Sequence, residues 1–211
     1  MLETPNLTCL VTGPMSPLIA DAIRHLMADS EWSVLRVASP KEVGVAQEYP
    51  QFALRHDEPQ GADDAYSAIV AHLEGQRTPW FDPQLDVVVC ALEGFYNSSP
   101  LEIQTISRQF AWIRRLVPHF AGSARLLLVP AEGANSHLTD AFTRMVNRQL
   151  ARDQAHLRRP STVILCAPDV TGELLAQCVT EGTPPPTARA RDVTDESVAA
   201  LTLAVRRALD S

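Results

Sequence analysis

Apolar residues along this chain follow two alternating rhythms. Leu7 to Thr12 (LTCLVT), Ser33 to Ala38 (SVLRVA), Leu85 to Ala91 (LDVVVCA), Ala124 to Val129 (ARLLLV) and Thr162 to Ala167 (TVILCA) are short apolar runs without strict alternation. Runs of this kind suit parallel strands covered on both faces. Phe52 to Arg55 is a shorter candidate strand. Between these runs, apolar positions recur every three or four residues. Pro17 to Ala28 carries Leu18, Ile19, Ala22, Ile23 and Leu26 on one helical face. Asp63 to Gly75 begins with two acids, which the helix dipole favours. Pro100 to Phe120 aligns Ile103, Ile106, Phe110, Ile113 and Val117, and Ser136 to Leu157 follows as another helix. Thr194 to Leu209 closes the chain, with Thr194 as N-cap and Asp195 and Glu196 in the first turn. Pro40 to Pro50 reads as a loop with room for a short helix. The EGTPPP stretch at Glu181 to Pro186 reads as a mobile loop near 181–192.

Strand and helix signals therefore alternate, which predicts an α/β protein with a doubly wound parallel sheet of about six strands and helices on both faces. At 211 residues and 45% hydrophobic content, one domain spanning 1–211 is expected. In such a sheet, ligands lie beyond the carboxyl ends of the strands, where the strand order reverses.

Charge narrows the choice of partner. The net charge is −7 and the basic residues form only short pairs, so neither nucleic acid nor an anionic membrane surface is expected as a partner. The four cysteines, Cys9, Cys90, Cys166 and Cys178, are widely spaced and lack metal-ligand spacing. Buried free thiols and no metal are expected, as in a reducing compartment. With no apolar stretch of membrane-spanning length, a soluble, cytoplasmic protein is expected.

Seven short stretches then add a resemblance. They are Val11-Thr12-Gly13, Leu85 to Val89, Asn97 to Glu102, Val117 to Phe120, Asn147 to Asp153, Ala167-Pro168 and Asp195 to Leu201. In that order and spacing they resemble segments of the short-chain dehydrogenase/reductase family: the start of its TGxxxGxG turn, its VDVLV strand and the loop and end of its fourth helix. The later stretches resemble the end of its catalytic helix, the AP after its sixth strand and a late PEDVA-type helix. The resemblance implies a Rossmann-like domain, NAD or NADP as cofactor, and hydride transfer.

Position by position, the residues that the resemblance would require are replaced. The pyrophosphate cradle keeps Gly13, but its later glycines fall on Pro17 and Ile19, which remove an N–H and add bulk. Ala38 and Ser39 stand where an acid or base would select the ribose. Asp57 falls at the adenine-contacting position. The catalytic tyrosine and lysine positions fall on Ser136 and Asp140, and the asparagine position on Thr105. No serine is present in Val129-Pro130-Ala131, and the NNAG position reads Cys90-Ala91-Leu92-Glu93. A carboxylate at Asp140 would raise a neighbouring phenol's pKa rather than lower it.

This reading expects a catalytically degenerate protein that binds no nicotinamide cofactor. It would act as a structural or binding subunit, a homodimer or a hetero-oligomer with an active reductase paralogue, paired through helices 100–120 and 136–157. Two alternatives stay open. One is a non-redox enzyme drawing on Glu93, Tyr96, Asn97, Ser136, His137 and Asp140, with Glu93 and His137 as acid and base. The other is an atypical NAD(P)-dependent oxidoreductase. Trp112, beside Arg115, reads equally as an interface anchor or as core.

Overall fold

The unalternating apolar runs become neighbours in one parallel sheet. A computed structural model describes residues 7–29, 31–43, 49–55, 60–78, 82–157, 161–167, 169–180 and 195–210. Its strands are β1 (Leu7–Thr12), β2 (Trp32–Ala38), β3 (Gln51–Ala53), β4 (Leu85–Ala91), β5 (Phe120–Val129) and β6 (Thr162–Leu165). They lie in the order β3-β2-β1-β4-β5-β6, every pair parallel. The order reverses between β1 and β4, whose heads end level at Thr12 and Cys90. The doubly wound parallel sheet expected from the alternation is the sheet observed.

Helices cover both faces. One face packs against α1 (Pro17–Met27) and α5 (Gly172–Thr180), and the other against α2 (Gly61–Gly75), α3 (Pro100–Leu116) and α4 (Ser136–Asp153). A sixth helix, α6 (Asp195–Leu209), lies over α3 and α4 and buries Val198, Leu201 and Val205 in the core they share. Ser107 Oγ donates to Val205 O at 3.4 Å, and Arg148 pairs with Asp195 at 2.5 Å.

Several boundaries differ from the sequence pattern. Helix α3 stops at Leu116, not at 120, because Pro118 has no N–H to continue the ladder and the chain tightens into a 3-10 turn over Val117–His119. Strand β5 then starts at Phe120, and the register shift opposite Leu85 and Val87 absorbs a bulge containing Ser123 at φ +87°. Helix α4 ends at Asp153 rather than 157. There Gln154 turns inward and accepts a hydrogen bond from Ser161 N at 2.7 Å. Strand β3 is shorter than expected, and α5 was not expected at all. Arg125 donates to the carbonyls of Cys178 and Val179 at 2.5 and 2.6 Å, satisfying the open end of α5. Trp112 is 4% exposed within the core, which overturns the reading of an exposed interface anchor. Asp57, Pro168, Thr194 and the 181–192 stretch lie outside the described residues. No helix among the described residues is long and apolar enough to cross a membrane.

A pH dependence follows from two half-buried imidazoles. Tyr66 Oη lies 2.8 Å from His119 Nε2. Burial lowers the pKa of His119, against a smaller upward pull from Glu74, and burial also lowers that of His72. Both values lie below the ordinary imidazole value of 6.5, so the unfolded chain takes up protons first as the solution is acidified. Stability is then full above that value and is lost as pH falls below it. The urea midpoint is expected to be lower at about pH 5.5 than at about pH 7.5, and a His72→Gln, His119→Gln variant to lose most of that drop. An unchanged pH dependence in the variant would contradict this assignment.

Candidate functional site

The strand-order reversal places the first turn, Gly13 to Ser16, at the position where this type of sheet presents a ligand. Gly13 has φ +99°, and a Cβ on it would lie 2.1 Å from the carbonyl oxygen of Ala91. The glycine therefore allows the exit of β1 to pass close over the end of β4. Helix α1 begins with Ser16 as N-cap, its Oγ accepting from Ile19 N at 3.2 Å, and with Pro17 in its first turn.

Beneath this turn lies a charge that the sequence reading had passed over. Arg36 sits in the middle of β2 and is only 1% exposed. Its position alternates with Leu35 and Val37, so the side chain points to the α1 face, as Trp32 and Val34 do. The guanidinium donates to Gly13 O at 2.5 Å, to Val11 O at 3.4 Å, and to Val37 O. Glu42 returns over it through a turn in which Glu42 N donates to Ser39 O at 2.9 Å. One carboxylate oxygen of Glu42 accepts from Met15 N at 3.0 Å, and the other lies 3.6 Å from Arg36. Burial lowers the pKa of Arg36, while the Glu42 carboxylate pulls it back up. Arg36 Nε and Glu42 Oε2 are buried without hydrogen-bond partners.

Two donors of the first turn are committed to the chain's own groups, and two of its positions have none. Pro14 and Pro17 have no N–H, Met15 N is held by Glu42, and Ile19 N by Ser16. The crevice itself is small: a cavity of about 40 Å³ lies between the heads of β1 and β4, against Leu54 and Trp112. Pro14, Pro17 and the Glu42 carboxylate at Met15 N do not fit a pyrophosphate in the pose this fold provides. An open cleft of about 540 Å³ adjoins this cavity, sharing Leu54, Glu93 and Gln109 with it and running past Ser39, Lys41, Thr105 and Arg108.

The remaining candidates fall into two places. Glu93 and Thr105 border the open cleft. The backbone of Glu93 is clamped by Gln109, whose amide oxygen accepts from Glu93 N at 3.2 Å and whose amide nitrogen donates to Glu93 O at 2.6 Å. The Thr105 hydroxyl turns back to Leu101 O at 3.2 Å. Tyr96 and Asn97 lie in the loop before α3, where both backbone N–H groups donate to the Glu102 carboxylate. Asn97 Oδ1 accepts from Ser99 N at 2.8 Å, so this asparagine shapes a turn. Ser99 Oγ accepts from Glu102 N, completing a capping arrangement visible in the sequence as Ser99-x-x-Glu102.

Ser136, His137 and Asp140 begin α4. Asn135 caps it, accepting from His137 N at 3.0 Å and Leu138 N at 3.3 Å. Asn135 N also donates to Phe95 O at 2.6 Å, which ties this helix start to the Tyr96 loop. His137 and Glu93 are exposed, and no hydrogen bond or ion pair among the described residues joins them. The sequence reading missed Glu102, Gln109 and Asn135, although the capping pattern announces the first and the helix start the last. Burial pushes the thiols of Cys9, Cys90 and Cys166 up to about 12, which leaves them unreactive. Among the described residues, no group of three or more His, Cys, Asp or Glu side chains is placed to hold a metal ion.

No protein-family model and no curated protein matches the chain. Solved structures do match it over most of its length. A doubly substituted short-chain dehydrogenase/reductase from Serratia marcescens is 14% identical at TM-score 0.53, with 86% of this chain and 91% of that one covered. BdcA (YjgI) from E. coli is 15% identical at TM-score 0.53, with 83% and 91% covered. A short chain dehydrogenase family protein from Francisella tularensis subsp. tularensis SCHU S4 is 12% identical at TM-score 0.54, with 83% and 76% covered. At these identities the likeness speaks for architecture alone, and the chain has the fold of the short-chain dehydrogenases/reductases.

Proposed function

We propose that this chain is a catalytically degenerate protein on the reductase fold, a binding or structural subunit rather than a dehydrogenase. One observation carries the reading: the Glu42 carboxylate, paired with buried Arg36, accepts from Met15 N at the turn where a phosphate would need that donor. A dinucleotide there would have to displace a carboxylate that already holds this donor and pairs with Arg36. The positions of the proton relay, Thr105, Ser136 and Asp140, add no phenol and no ammonium. Assembly with itself or with an active paralogue, through the surfaces of α3 and α4 that α6 leaves uncovered, completes this reading. The non-redox alternative requires Glu93 and His137 to reach one substrate, and no contact supports that pairing.

Thermal melting with nicotinamide cofactors tests the proposal. A cofactor present at about 100 times its Kd would stabilise the fold by about 2.7 kcal/mol, several degrees in Tm. We expect no shift with NADH or NADPH and no oxidation of either by a panel of carbonyl compounds. A rise of several degrees with turnover would return the chain to the oxidoreductases.

A further inference from the structure

Four arginines line one groove of this acidic chain. Its net charge is −7, yet Arg114 of α3, Arg148 and Arg152 of α4 and Arg206 of α6 all line a single groove of about 540 Å³ where the three helices meet. Met145, Arg148 and Arg152 form one edge, spaced three and four apart along α4. Ala199, Leu203 and Arg206 form the other at four and three along α6. Each edge is one face of a helix over two turns, about 10 Å of length.

The groove has an apolar floor and a cationic rim. Phe110 and Val205 are buried at its base, Met145 is buried at the foot of the α4 edge, and Leu203 and Leu209 are 51% and 42% exposed beside it. Arg114 stands 5.9 Å from the Phe110 ring centroid. Asp195 pairs with Arg148, but neither Arg152 nor Arg206 forms an ion pair with another described residue.

We propose that this groove docks an acidic amphipathic helix of a partner protein. The proposal rests on the binding-subunit reading above and gives that subunit's partner a chemistry. An apolar strip edged by guanidinium groups at helical spacing calls for a helix with apolar residues at i, i+3, i+4 and i+7 and carboxylates beside them. Charge complementarity selects this occupant over a second copy of the chain. A two-fold contact centred on the groove would set four arginines against the same four of the partner, and like charges facing one another are costly.

The test uses the full chain and two fluorescein-labelled synthetic helices of about five turns. Both carry leucine on one face. The remaining positions are glutamate in one peptide and lysine in the other. Fluorescence anisotropy is expected to show the glutamate peptide binding in the micromolar range, more weakly as salt is raised. The exposed pair Arg152→Glu, Arg206→Glu, checked for folding by circular dichroism, is expected to weaken that binding at least about tenfold and to admit the lysine peptide. Equal binding of the two peptides, no binding at about 1 mM, or unchanged binding to the variant would overturn the proposal. So would concentration-dependent dimerisation abolished by the same pair, which would assign the groove to a second copy. A chain that binds NADPH and also the glutamate peptide would sink the non-catalytic reading and leave this docking site standing. A chain that binds neither would do the reverse.

Discussion

Replacing Glu42 with alanine is expected to cost the fold about 2 kcal/mol, and added formate is expected to restore part of that loss. Arg36 is 1% exposed and leans on the carbonyls of Gly13, Val11 and Val37, which are neutral acceptors. Glu42 supplies the carboxylate that pairs with it. Truncation leaves a buried cation uncompensated and frees Met15 N. The Glu42 side chain is 31% exposed, so water can enter the gap, and the expected cost lies below that of breaking a fully buried pair. Formate brings one small carboxylate to the same place, and binding to the folded state alone raises its stability by mass action. Urea unfolding of the Glu42→Ala variant should show formate shifting the midpoint more than chloride at equal ionic strength, with no such difference in the native chain. Equal stability of the two proteins would remove the Arg36–Glu42 pair from the account.

Gly13→Ala is expected to be more severe, at about 3–5 kcal/mol, enough to deplete the folded protein. Two costs combine: a backbone at φ +99° that a Cβ disfavours, and a methyl carbon 2.1 Å from Ala91 O. Neither strand can yield readily, because β1 and β4 are registered together up to Thr12 and Cys90. Gly75→Ala is the control. A Cβ there meets nothing within 4 Å, and the change is expected to be neutral or slightly stabilising. If Gly13→Ala melts like the native chain, the close approach of the two strands does not constrain the turn.

The sheet was legible in the sequence because a strand covered on both faces leaves a compact apolar run, and LDVVVCA becomes β4 with the bounds it suggests. Helix α5 was not legible. It has nine residues, and half of its closure comes from Arg125, which is distant in sequence. The start of β5 was hidden by Gly122 and Ser123, which break the apolar run where the strand bulges. Pro118 was in view, and its effect on the end of α3 could have been read from the missing N–H.

The candidate site divides along the same line. Pro17 and Ile19 at the first turn are sequence facts, and so are the residues at Thr105, Ser136 and Asp140. Arg36 was also visible, as a charge inside an otherwise apolar strand, and such a residue demands a partner. Its partner was not legible, because only the turn after Ser39 folds Glu42 back over Met15. Trp112 could not be placed from its mixed neighbours. Its place in the core beside the heads of β1 and β4, not local pattern, buries it.

Hydrogen–deuterium exchange of the native chain, with and without NADPH at about 1 mM, addresses the central claim most directly. With Met15 N already held by Glu42, exchange across residues 12–19 and 36–42 is expected to be the same in both conditions. Saturable slowing at those backbone amides on adding NADPH would mean that the nucleotide displaces the carboxylate, and the account would be wrong at its base.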